Sequence, residues 1–258
     1  MEVKKFDLIK KYKDCVILRK EQQRTIKWEL RDNEGDILKM IVTESDEIPE
    51  GWNEFASDYS LEKIHNEKKT IEEINYTSAD YIHVDIMDGK FVENKNYDIK
   101  DISLFLRENV KPLDVHLMCC DLEKYIVEYA DLMPEFITFH LEATDKVNEM
   151  IDMIHSYGIK CGISIKPNTS VKELLPYLDK IELVLIMSVE PGKGGQKFMP
   201  IAIDKINQLR KLNKNIIISV DGGINDETVK LINCDMVVSG SYVCMSDNFE
   251  KNIEILKK

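Results

Sequence analysis

No apolar run along the 258 residues is long enough to cross a bilayer, and the opening Met1-Glu2-Val3-Lys4-Lys5-Phe6-Asp7 lacks the apolar core of a signal peptide. A cytoplasmic protein with no membrane partner is expected. Basic blocks are missing as well: the net charge is −12 and the charged residues are spread along the chain. Without an electrostatic footprint for a phosphate backbone, no nucleic-acid partner is expected. The six cysteines, Cys15, Cys119, Cys120, Cys161, Cys234 and Cys244, form no CxxC pair. Free thiols in a reducing compartment fit that scatter better than disulfides or a thiolate metal site. There are no internal repeats and no low-complexity segments.

What the sequence does have, from about residue 80 onward, is alternation. Short β-branched runs are separated by helix-length amphipathic segments, the pattern of parallel strands joined by crossover helices. Seven strands are predicted: Tyr81 to Met87, Leu113 to Met118, Phe136 to His140, Lys160 to Ile165, Leu183 to Val189, Ile216 to Val220 and Met236 to Ser239. A capping box, Ser170-Val171-Lys172-Glu173, predicts a helix running on through Leu174 to Leu178. Seven β/α units call for an eighth, and Glu54 to Tyr59 is the best-placed candidate because Leu61 to Ile74 after it reads as a helix. The expected fold is therefore α/β, a (β/α)8 barrel over residues 51–258. Upstream, Thr25 to Arg31 and Ile37 to Val42 flank the turn cluster Asp32-Asn33-Glu34-Gly35, a β-hairpin signature. A barrel needs no such start, so residues 1–50 read as an added N-terminal extension.

In a barrel, side chains alternate inward and outward along each strand, and catalytic groups sit at the strands' C-terminal ends. His83, Asp85 and Met87 share one parity, opposite to Ile82, Val84 and Ile86. The next strand repeats this, with Asp114, His116 and Met118 facing one way, and Asp221 closes the strand Ile216 to Val220. Taken singly, each of these groups is more simply a satisfied core or capping residue. Together, His83, Asp85, His116 and Asp221 would cost several kcal/mol to bury on one rim unless paired or coordinated. Neutral imidazole with carboxylate is a ligand set for a divalent transition metal such as Zn, Fe, Mn or Co.

A second signal is glycine. Gly192, Gly194 and Gly195 fall in Glu190 to Gln196, directly after a strand; Gly222 and Gly223 follow the next strand, and Gly240 and Ser241 the one after. Any one of these is a flexible loop on the simplest reading. Three such loops on neighbouring strands are where a barrel places a phosphate, wrapped by backbone N–H groups.

These motifs, in order and with consistent spacing over residues 79–258, resemble the ribulose-phosphate 3-epimerase family. The segments are His83-Val84-Asp85-Ile86-Met87-Asp88-Gly89, Asp114-Val115-His116-Leu117-Met118, Ile137-Thr138-Phe139-His140, Met187 to Phe198 and Val220-Asp221-Gly222-Gly223. The resemblance implies a TIM barrel of the ribulose-phosphate-binding type in which His83, Asp85, His116 and Asp221 bind a divalent metal. It makes Asp85 and Asp221 the catalytic acid and base. It assigns the substrate phosphate to Gly192, Lys193, Gly194, Gly195, Gly222, Gly223, Gly240 and Ser241, and the reacting carbons to Met87, Met118 and Met187. By themselves those methionines read as core packing. The implied reaction is 3-epimerisation of a phosphorylated ketose, D-ribulose 5-phosphate to D-xylulose 5-phosphate, in the pentose phosphate pathway.

Some positions depart from the family pattern. Ala56-Ser57-Asp58 lacks the proline usual on strand one, Lys193 replaces an aromatic, Glu93 a proline, and Lys166-Pro167-Asn168-Thr169 an Asn-Pro. These keep open allulose 6-phosphate as an alternative substrate, or a phosphosugar-binding protein without turnover. A homo-oligomer is likewise left open.

Overall fold

The computed structural model describes residues 7–11, 15–21, 26–32, 37–43, 47–49 and 61–257. The chain divides into two compact units, Met1–Lys68 and Lys69–Lys258.

In the first unit, β1 (Asp7–Lys11), β2 (Cys15–Glu21), β3 (Ile26–Asp32) and β4 (Ile37–Thr43) form one antiparallel sheet in that order. The hairpin is β3 and β4, with Trp28 paired to Ile41 and a register irregularity after Leu30. β1 and β2, which the sequence pattern does not announce, extend it on the β3 side. Ile17 and Leu30, paired across β2 and β3, are fully buried.

The second unit is the (β/α) barrel fold. Its strands are β5 (Ile82–Met87), β6 (Leu113–Met118), β7 (Phe136–His140), β8 (Lys160–Ile165), β9 (Leu183–Met187), β10 (Ile217–Asp221) and β11 (Met236–Val238). They pair in parallel and in sequence order from β5 to β11. All seven predicted strands are present to within a residue or two at each end. The eighth, predicted at Glu54 to Tyr59 with Ser57 in it, lies outside the described residues.

Helices α1 (Leu61–Asn75), α2 (Ile99–Phe105), α3 (Leu122–Ala130), α4 (Val147–Ser156), α5 (Ile201–Leu212), α6 (Ser241–Cys244) and α7 (Phe249–Leu256) connect or follow the strands. Three of them show a local reason to be there. On α4, Val147, Met150, Ile151 and Ile154 are buried at the i, i+3, i+4, i+7 spacing of a single apolar stripe. The Asp98 side chain accepts from Lys100 N and Asp101 N to start α2, and Asn248 accepts from Lys251 N to start α7. The Ser170–Glu173 capping box forms as expected, but it opens a 3-10 helix, Val171–Leu174, and not a regular helix through Leu178. Buried Val171 and Leu174 anchor that short segment, and Pro176, which has no N–H to donate, cannot extend the ladder.

β6, β7 and β9 are buried at every residue, as parallel strands covered on both faces must be. Gly162 is needed for this packing, since a Cβ there would lie 2.2 Å from Thr138 Oγ1 on the neighbouring strand. Cys119, Cys120, Cys161 and Cys234 are free thiols, in line with the expectation from their spacing. Among the described residues, no helix is long and apolar enough to cross a membrane.

Candidate active site

Strand parity builds the site. On β5, Ile82, Val84 and Ile86 are buried while His83, Asp85 and Met87 are partly exposed on the opposite face. β6 pairs in register, His83 with Asp114, Asp85 with His116 and Met87 with Met118, so matching side chains stand side by side. Asp221, the last residue of β10, comes from a strand that does not pair with β5. Even so, one ligand atom from each of His83, Asp85, His116 and Asp221 lies within 4.8 Å of the other three. A divalent transition metal with bonds of 2.0–2.2 Å spans at most about 4.4 Å between opposite ligands. Donor type and spacing therefore both fit a cation, with a few tenths of an ångström of closure.

The contacts inside the cluster are charge-assisted. His83 Nδ1 lies 2.7 Å from Asp114 Oδ2 and its Nε2 lies 3.2 Å from Asp85 Oδ1. His116 Nδ1 lies 2.8 Å from the same Asp85 oxygen. Burial opposes a charge on His83, but the carboxylates of Asp114 and Asp85 outweigh it and raise the imidazole well above its ordinary value. Burial also opposes a charge on Asp85, and there the two imidazoles win and hold the carboxyl well below the usual range. Asp221 goes the other way: burial, reinforced by the negative charge of Asp85, pushes it up to about 6. Two carboxyl groups in one site thus titrate far apart, an arrangement that lets one serve as base while the other serves as acid.

Behind the cluster is a second tier of polar groups. His116 Nε2 lies 3.0 Å from His140 Nε2, and His140 Nδ1 lies 3.3 Å from Glu142 Oε2. Glu142 Oε1 accepts from Lys166 N at 2.8 Å and from the Thr169 hydroxyl. Burial would raise the Glu142 carboxyl, but the hydrogen bonds from His140, Thr169 and the Lys166 N–H overcome it and bring it down to about 2. Burial drives the His140 imidazole down to about 4. Phe91 packs on the His140 ring at 4.7 Å between centroids, and the Lys166 ammonium sits 4.0 Å from the Phe91 ring centre.

The glycine loops lie beside the cluster. Gly192, Gly195, Gly222 and Gly223 all have positive φ. Three of them are also too crowded for a side chain: a Cβ on Gly192 would lie 2.8 Å from Val92 Cβ, one on Gly222 2.4 Å from Val189 Cγ2, and one on Gly223 2.5 Å from Phe198 N. Ser188, at the end of the same stretch, ties these loops together. Its N–H donates to Asp221 O, its hydroxyl reaches Asp221 O at 2.8 Å, and its carbonyl accepts from Met199 N. Asn94, on the loop after β5, donates to Gly192 O at 2.6 Å. The Lys193 amine, expected at the phosphate, is 3.6 Å from the Glu93 carboxylate. Gly240 precedes α6, and Ser241 is its first residue.

A cavity of about 1510 Å³ is lined by His83, Asp85 and Asp221, by Met87, Met118 and Met187, and by the glycines of these three loops together with Lys193 and Ser241. Of the residues expected at the site, His116 alone is absent from this lining; it is fully buried and meets the cluster through Asp85. Reading the sequence assigned no role to Asp114, His140 or Glu142. Asp114 is marked in the sequence by its parity with His116, and His140 and Glu142 only by lying at or just past the end of β7, signals that mean little until a neighbouring strand supplies a partner.

The profile of the ribulose-phosphate 3-epimerase family matches residues 57–244. The chain is 36% identical over 193 residues to the ribulose-phosphate 3-epimerase of Schizosaccharomyces pombe, an alignment covering 69% of this chain and 81% of that protein. It is 40% identical over 187 residues to the ribulose-phosphate 3-epimerase of Buchnera aphidicola, covering 69% and 82%. Among solved structures, KGPDC from Streptococcus mutans superposes with a TM-score of 0.56 over 78% of this chain and 92% of that one, at 15% identity, a likeness of fold alone.

Proposed function

Because this chain belongs to the ribulose-phosphate 3-epimerase family, we propose that it interconverts D-ribulose 5-phosphate and D-xylulose 5-phosphate, with Asp85 and Asp221 moving the C3 proton on opposite faces of the sugar. The observation that carries this reading is the meeting of His83, Asp85, His116 and Asp221 within 4.8 Å, beside loops built on crowded, positive-φ glycines. Inverting a carbon next to a ketone requires proton removal on one face and delivery on the other. Asp85 and Asp221 come from different strands to one cluster, so each carboxyl group can take the proton on one face or return it on the other. In the reverse direction they exchange tasks. A divalent cation held by His83, Asp85, His116 and Asp221 would supply positive charge against the enediolate as it forms.

Met87, Met118 and Met187 would offer an apolar wall against the reacting carbons, keeping water from competing for the proton. The phosphate would bind the backbone of Gly192, Gly194, Gly195, Gly222, Gly223 and Gly240 with Ser241, and Lys193 would turn to it from Glu93. The deciding experiment is a coupled assay of the metal-loaded protein across pentulose and hexulose phosphates. Turnover of ribulose 5-phosphate at least tenfold above any hexulose phosphate is expected. A preference for allulose 6-phosphate, or binding without turnover, would overturn the substrate assignment.

Cation affinity should depend on pH in one direction. His83 is raised well above its ordinary value in the metal-free site, so binding has to displace its proton. Affinity is then expected to rise by up to about tenfold per pH unit while His83 is still protonated, and to level off above that. A chelator-competition titration between pH 6 and 9 that shows a flat response would mean that His83 holds no proton for the cation to displace.

Gly223→Ala should act on substrate binding more than on chemistry. The new Cβ collides with backbone at Phe198 and Gln196, and a flexible side chain cannot relieve that. The loop must shift, so KM for the phosphorylated substrate should rise at least tenfold while cation affinity stays near that of the parent. An unchanged KM would remove the phosphate role from this loop.

Residues 1–45 carry none of the proposed site groups. A chain beginning near Pro49 is expected to keep metal binding and turnover. A folded truncation that binds metal normally and has no activity would show instead that the N-terminal strands take part in catalysis.

A further inference from the structure

We propose that Glu142 acts through His140 as a positioning residue that holds the proton of His116 on Nε2 and so leaves Nδ1, the nitrogen facing Asp85, open to a cation. The inference rests on the metal reading above, and it follows from counting protons along one line of hydrogen bonds. Glu142 Oε1 accepts from the backbone N–H of Lys166 and from the Thr169 hydroxyl, while Oε2 faces His140 Nδ1. A carboxylate has no proton to give, so the proton in the last contact belongs to His140 Nδ1. A neutral imidazole carries a single N–H, which leaves His140 Nε2 as an acceptor. That nitrogen lies 3.0 Å from His116 Nε2, and one proton must sit between two ring nitrogens at that distance. It therefore belongs to His116. The remaining nitrogen, His116 Nδ1, lies 2.8 Å from Asp85 Oδ1, where a second proton on the ring holds the contact until a cation takes its place. Two bare lone pairs at that distance repel each other unless a proton or a metal ion lies between them.

Burial makes the relay strict. His116 and His140 are both fully buried, so neither ring can turn to water for a different partner. Phe91, tilted against His140 with 4.7 Å between ring centroids, closes that ring from the side. His83 has the corresponding arrangement in one step, its Nδ1 against Asp114. Each ligand imidazole thus ends on a carboxylate that is not itself a ligand, a support known to raise ligand basicity and fix ring orientation. The relay through His140 differs in that its carboxylate is two hydrogen bonds away, in the short 3-10 helix Leu141–Ala143 after β7.

Glu142→Gln tests this with little change of shape. The Lys166 N–H can only donate, so the Gln carbonyl must stay on it and the NH₂ must turn to His140. His140 then accepts at Nδ1, carries its proton on Nε2 and donates to His116 Nε2. His116 is left with its proton on Nδ1, where the cation should bind. Zinc affinity, measured by competition with a chelator, is expected to fall about 10- to 100-fold, the usual effect of losing such a support. Side-chain ¹H–¹⁵N spectra of the metal-free proteins should show His140 protonated at Nδ1 in the parent and at Nε2 in the variant, a reversal that a merely structural role for Glu142 does not produce. Zinc affinity within threefold of the parent, or an unchanged His140 tautomer, would overturn the proposal. If the variant does not fold, the parent spectrum alone decides, because Nε2–H on His140 is incompatible with the relay. Should the parent bind no divalent cation, the metal reading fails separately, and the same spectrum still settles the proton order.

Discussion

Asp85→Asn and Asp221→Asn should each lower epimerisation by more than the ~10²–10⁴ ascribed to a single general acid or base, because each replacement also alters a proposed metal ligand. The informative measurement is exchange of the substrate C3 proton with deuterated solvent. If each carboxylate serves one face, a variant that has lost one of them still exchanges from the epimer whose proton faces the survivor. The two variants should then show opposite substrate preferences. The asymmetry of the two groups sharpens the expectation. Asp85 is stabilised as the anion by His83 and His116, whereas Asp221, pushed up to about 6, holds its proton into the mildly acidic range. Metal content has to be measured alongside, since an empty cluster would silence both faces equally. Two variants that keep their metal and exchange the same epimer at equal rates would rule out the opposed-carboxylate assignment.

Removing the divalent cation should abolish turnover altogether. Negative charge builds on oxygen as the enediolate forms, and losing even one donor that stabilises such an oxyanion costs about 10²–10³ in rate at comparable sites. His116→Ala is expected to lower metal stoichiometry as well as activity. Beyond the ligand, it deletes the link from Asp85 to His140 and leaves that buried imidazole without its partner at Nε2. Readdition of Zn, Fe, Mn or Co to the stripped parent, one metal at a time, should restore activity and rank the metals. Full activity in a verified metal-free sample would end the metal reading.

Much of this is legible along the chain. The two-residue alternation in Ile82 to Met87 and Leu113 to Met118 is enough to separate the helix-facing side chains from the barrel-facing ones. Glycines that follow β9 and β10 mark two loops where the structure finds positive φ and, at Gly192, Gly222 and Gly223, no room for a Cβ. β1 and β2 are not legible, since Asp7–Lys11 and Cys15–Glu21 mix charged and apolar residues without a clean period and are defined by pairing with one another. The 3-10 helix after the Ser170 capping box is shorter than its sequence suggests because a cap signals where a helix starts and says nothing of where packing ends it.

Which residues could face the barrel mouth follows from the chain alone, because strand parity and strand order are local properties, and with them come the candidate ligands His83, Asp85, His116 and Asp221. Which of these groups charge one another, and which lie behind them, depends on folding in three dimensions. Asp221 reaches Asp85 across the barrel from a strand that never pairs with β5, and Glu142 reaches His116 through a histidine on another strand. Such contacts join positions far apart in the chain, and their strength comes from burial, which removes the water that would otherwise screen them.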